Sequence, residues 1–99
     1  MRGHLDSLLL AVVAGGPLHG YAIIEELKAR SGGRFDLPEG TVYPALHRLE
    51  GAGFLTSTWA EHEGRRRRVY RLSRRGRRSL RERREDWERF SRAVEAVLT

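Results

Sequence analysis

Three observations predict a mainly α chain carrying one β-hairpin. Apolar residues recur at helical spacing in four stretches, and two runs of strand-forming residues flank a Gly-containing turn between the third and fourth. The fourth stretch is long, regular and patterned in heptads. Three short helices, a hairpin and a long last helix follow the order of a winged helix-turn-helix extended by a C-terminal dimerisation helix. The 99 residues are one domain's worth. Residues 1–73 are expected to form the winged helix-turn-helix domain, N-terminal helix included, and residues 74–99 the dimerisation helix.

In the first helix Leu5, Leu8, Leu9, Val12 and Val13 fall at the spacing of a single apolar stripe. Gly15-Gly16-Pro17 stops it, since Gly accepts a left-handed cap and Pro cannot continue a helix. A second helix fits Gly20 to Ser31, with Ala22 or Ile23, Ile24 and Leu27 inward and Glu25, Glu26, Lys28 and Arg30 outward. Gly32-Gly33 ends it, and Phe35 and Leu37 in the next loop are expected to tuck under the domain.

The third helix spans Glu39 to Gly51. Val42, Ala45, Leu46 and Leu49 face inward, while Thr41, Tyr43, Pro44, His47 and Arg48 collect on the opposite face. Pro44 stands early enough to remove only one backbone bond. The hairpin strands are Phe54 to Glu61 and Arg67 to Ser73, and His62-Glu63-Gly64-Arg65 makes the turn, with Gly64 able to take positive φ.

From Arg74 to Leu98 the helical pattern returns. Leu80, Trp87, Phe90, Val94 and Val97 occupy a and d positions, with Arg83 the one polar residue at d. The pairs Arg81/Glu85, Arg84/Glu88, Glu85/Arg89 and Glu88/Arg92 lie four apart outside that seam, which marks the outer face as solvated. Such a seam has little in a small domain to bury it, so a homodimer is expected, its interface formed by Leu80, Trp87, Phe90, Val94 and Val97 with Leu5 and Leu9 of the first helix. The other reading is a helix folded back on its own core.

Net charge is +6, and its distribution is uneven. Between Gly64 and Arg84 twelve arginines meet one acid, Glu82, whereas the rest of the chain has six arginines and one lysine against twelve acids. Local positive charge is the footprint of a phosphate-binding face, here double-stranded DNA, although charge runs also serve as solvated surface. An outward helix face reaches base edges in a major groove, so Thr41, Tyr43, His47 and Arg48 are candidate contacts. Arg65, Arg66 and Arg67 at the wing tip are the second set. In a hairpin alternate side chains point opposite ways, so about half of the tip residues would touch DNA.

Other classes find less support. Without cysteine there is no disulfide framework or thiolate metal site. The apolar run Leu8 to Ala14 is too short to span a bilayer, no signal peptide is recognisable, and a cytoplasmic location is expected. His4, His19, His47 and His62 lack ligand spacing, and neither a nucleophile setting nor a phosphate-cradling glycine loop occurs, so no enzyme activity, cofactor or metal is expected. The alternative functions are a nucleoid-type protein that coats DNA without sequence preference and an adaptor that binds another protein.

Leu18-His19-Gly20-Tyr21-Ala22-Ile23-Ile24, Gly40-Thr41-Val42-Tyr43-Pro44-Ala45-Leu46-His47-Arg48-Leu49-Glu50, Gly53-Phe54-Leu55, Arg67-Arg68-Val69-Tyr70-Arg71-Leu72-Ser73 and Gly76 together resemble the PadR-like family of bacterial transcriptional regulators. The single C-terminal helix is similar to its smaller, dimeric subfamily. The resemblance implies repressors that bind inverted-repeat operators and release them when a small, often aromatic, molecule binds. It places Tyr21 and Tyr43 among the DNA-contacting parts. It also sets Trp87 where multidrug-responsive members carry a tryptophan lining a pore at the dimer centre. Those members have an aromatic residue one turn earlier, where this chain has Arg84, and the facing first helix offers Asp6 and Ser7. Trp87, Arg84 and Asp6 are therefore the expected ligand contacts of a more polar pore. Plain dimer core is the other reading of Trp87.

Overall fold

A computed structural model describes residues 2–99, and its element order is α1 (Arg2–Ala14), β1 (Leu18–His19), α2 (Gly20–Arg30), α3 (Glu39–Gly51), β2 (Leu55–His62), β3 (Arg65–Leu72) and α4 (Arg74–Leu98). The predicted helices and hairpin are all present, so the chain is a winged helix-turn-helix with a long final helix. The predicted strands shift by one or two residues, because the turn is only Glu63-Gly64. Both turn residues have positive φ, 53° and 75°, as the tightest hairpin connection requires.

One short element was not expected. Leu18 and His19 pair antiparallel with Tyr70 and Val69, completing a sheet of order β1-β3-β2. His19 then caps α2, its Nδ1 accepting from the Ala22 amide at 3.3 Å.

The core lies where α1, α2 and α3 meet the inner end of the hairpin. Leu9, Leu10, Ile23, Val42 and Leu46 have no exposed surface at all, and Phe35 and Leu37 pack against the same cluster. Leu5, Leu9 and Leu80, expected at a dimer seam, belong to this core (5%, 0% and 4% exposed). The heptad pattern registers an apolar stripe, but the first turns of α4 spend their part of it on α1. Arg83, the polar residue at d, is explained by the same docking. It donates to the Gly3 carbonyl at 3.1 Å and to Ser7 Oγ at 3.0 Å.

Two close joins hold α4 to the domain. Ser73 caps the helix by accepting from the Gly76 amide at 2.9 Å while donating to the Gly53 carbonyl at 2.7 Å. At Gly76 a Cβ would stand 2.1 Å from the Phe54 carbonyl oxygen, so no other residue fits without moving backbone. Beyond Glu88 the helix runs clear of the domain, and the molecule is accordingly elongated, 53 × 29 × 21 Å. None of the described helices is long and apolar enough to cross a membrane.

Candidate nucleic-acid interface

α3 presents Thr41, Pro44 and His47 to solvent, because Val42, Ala45, Leu46 and Leu49 bury the opposite stripe. Tyr43 lies at the edge between the two faces. Its ring rests on the first turn of α2, where a Cβ on Gly20 would come within 2.6 Å of Tyr43 Cε1. Glycine at 20 is thus what lets the two helices approach with a tyrosine between them.

A cleft of about 270 Å³ opens between this edge and the wing. His19, Gly20, Tyr21, Tyr43 and His47 line one side, and Trp59, Arg66, Arg67, Arg68 and Tyr70 of the wing the other. The fold therefore gathers five of the expected contacts, Tyr21, Tyr43, His47, Arg66 and Arg67, around one opening. Thr41 stands exposed on the same helix, and Arg65 is exposed at the wing tip.

Arg48 is placed differently. Its guanidinium binds the carboxylate of Asp6 on α1. A helical wheel assigns Arg48 to the outer face, but the side chain is long enough to turn back across the helix to an acid only 14% exposed. The same pair turns Asp6 from the groove in which it was expected to meet ligand. That groove, about 450 Å³, lies between α1 and α4 and is lined by Ser7, Leu8, Ala11, Leu80, Arg83, Arg84, Trp87 and Glu88. It brings Trp87 and Arg84 together without Asp6, and His4 meets the Trp87 ring edge-on at 5.7 Å.

Sequence reasoning missed Trp59. Register sets it opposite Arg68 on β3, and the guanidiniums of Arg66 and Arg68 each lie over its ring, 5.3 Å from the centroid. Arg68 in turn donates to Ser57 Oγ at 2.8 Å, and Ser57 donates to Glu50 of α3 at 2.5 Å. Arg68 also stands 3.7 Å from that carboxylate. This chain of bonds fixes the wing relative to α3.

Hydrogen bonding to Glu25, reinforced by its charge, raises the Tyr21 hydroxyl above its usual range. Burial, then the charge of Glu39, does so for Tyr43. Tyr21 thus donates its hydrogen bond to Glu25, while Tyr43 keeps a neutral O–H able to donate to a phosphate oxygen. Among the described residues no group of three or more His, Asp or Glu is placed to hold a metal ion.

Known proteins agree with this architecture. The family model for the PadR-like transcriptional regulators matches residues 9–82. A transcriptional regulator of Mycobacterium tuberculosis is 42% identical over 86 residues, 87% of this chain and 78% of its own. A PadR family transcriptional regulator from Eggerthella lenta superposes with a TM-score of 0.84 at 33% identity, covering 98% of this chain and 83% of that one. One from Clostridium difficile superposes with a TM-score of 0.85 at 26% identity, covering 97% and 99%.

Proposed function

The chain belongs to the PadR-like family of transcriptional regulators, DNA-binding proteins rather than enzymes, and from that premise we propose that it is a dimeric repressor of an inverted-repeat operator. The observation that carries the proposal is the cleft between α3 and the wing, where neutral phenols and a histidine face a bank of arginines. In this reading residues 1–73 bind one half-site. Thr41 and His47 meet base edges in the major groove, Tyr21 and Tyr43 bond the backbone, and Arg65, Arg66 and Arg67 hold flanking phosphates. Arg48 supports α3 through Asp6 and reaches DNA only if that pair opens.

Residues 74–99 join two copies. The outer half of α4 exposes Trp87 (56%), Phe90 (59%), Val94 (38%) and Val97 (85%), apolar surface that a second copy would cover. The groove beside Trp87 opens next to that seam, and a small aromatic effector seated there would shift the two heads and release the operator. In this reading the bound dimer silences a promoter by occupying it.

The test is fluorescence anisotropy at ~150 mM salt, with the duplex upstream of the protein's own gene and a scrambled copy. Preference for the native sequence by ~10³ or more is expected of a specific regulator. Equal, weak binding to both would replace this reading with a nucleoid-type coat.

A further inference from the structure

The fold leaves one large aromatic side chain of the wing in water. Trp59 sits in the middle of β2 and is 56% exposed, so it contributes little to the core. Its position is nonetheless well defined. It shares a face of the hairpin with Ser57, Arg66, Arg68 and Tyr70, and this face carries the bonds to Glu50 of α3. Two guanidiniums lie over the indole, and the ring forms part of the cleft that also holds Tyr43 and His47.

An indole with two cations stacked on it complements a small apolar surface bordered by anions. A nucleic-acid strand presents that pattern at every step, as a sugar with a phosphate on each side. We propose that Trp59 is a direct DNA contact of the wing. Its indole packs on a deoxyribose of the strand passing between wing and α3, and Arg66 and Arg68 take the phosphates beside that sugar. Because both arginines already rest on the ring, and Arg68 is anchored from behind, they lose little freedom on binding. Sugar and phosphate carry no sequence information, so Trp59 strengthens binding to specific and random DNA alike.

This inference rests on the cleft being the DNA interface, and the experiment separates the two. Wild type, W59A and W59F are titrated with the operator-bearing duplex and with random duplex at ~150 mM salt, following anisotropy and tryptophan emission. W59A is expected to lose about tenfold or more on both duplexes, the loss typical of a truncated interface tryptophan, with the ratio between duplexes unchanged. The slope of log affinity against log salt stays near the wild-type value, since Arg66 and Arg68 remain. W59F recovers part of the affinity. DNA quenches wild-type emission, and the quench disappears in W59F, where Trp87 is the remaining indole. Wild-type affinity in W59A, or a DNA-induced quench that persists in W59F, overturns the proposal. Should wild type bind neither duplex, the interface reading fails first and this inference with it. Unfolding midpoints of both variants establish that any loss is not one of folding.

Discussion

Large apolar side chains stand in water at two places on this protein, and their surroundings differ. Tyr21 and Trp59 flank the α3–wing cleft, among Arg66, Arg67, Arg68 and His47. Trp87, Phe90, Val94, Val97 and Leu98 instead follow one another along the outer half of α4. There the charges sit beside the stripe and pair with each other, Arg92 with Glu88 at 3.4 Å and Arg89 with Asp86. An indole such as Trp59 with two guanidiniums over it fits a polyanion, while a continuous apolar seam edged by balanced charge fits another copy of the chain. Exposed hydrophobicity alone names no partner; the charge around it does.

The largest effect is expected at the seam. Phe90→Asp places a carboxylate among Trp87, Val94 and Val97, and the protein should sediment as a monomer. Affinity for the full operator should fall by ~10²-fold or more, because the second half-site no longer benefits from tethering, while random DNA binding by a single head falls far less. A dimer that persists in this variant would put the interface elsewhere.

Gly76→Ala attacks the joint between the two regions. The new methyl meets the Phe54 carbonyl oxygen at 2.1 Å, and overpacking of this kind costs about 1–3 kcal/mol or more. For a domain of this size each kcal/mol lowers the melting temperature by roughly 4–8 °C, which calorimetry resolves. Smaller again is the combined neutralisation of Arg65, Arg66 and Arg67 to glutamine. Binding should weaken on every sequence, and the salt slope should flatten by ~0.9 for each phosphate that no longer meets an arginine, with dimerisation unchanged. An unaltered slope removes the wing from the interface. Asp6→Asn should be mildest, about 1 kcal/mol of stability from a partly exposed pair. If that change alters sequence preference, Arg48 has been released to read DNA.

Much of the fold was legible in the sequence because its signals are local. Glycines mark the ends of α1, α2 and α3, apolar periodicity gives each buried face, and α4 was placed to the residue. β1 escaped because two residues carry no period and become a strand only through Val69 and Tyr70. The candidate site was legible as a set of positions rather than as contacts. Tyr43 and His47 were placed by helical spacing, but the bond from Arg48 to Asp6 spans 42 positions and depends on how α1 packs on α3. Trp59 read as a strand former, and its meeting with Arg66 and Arg68 follows from a register set by the two-residue turn. Leu5, Leu9 and Leu80 show the converse limit, since a stripe does not reveal which of its turns are covered from within the same chain.

Hydrogen–deuterium exchange on the free protein, the diluted protein and the operator complex would test the two-surface account most directly. DNA should slow exchange in residues 39–51 and 55–72, leaving residues 84–98 as in the free dimer. Dilution toward monomer should do the reverse, speeding exchange in 84–98 and sparing the cleft. Protection of 84–98 by DNA, or a cleft indifferent to it, would contradict the division of the surface into one face for DNA and one for a second copy.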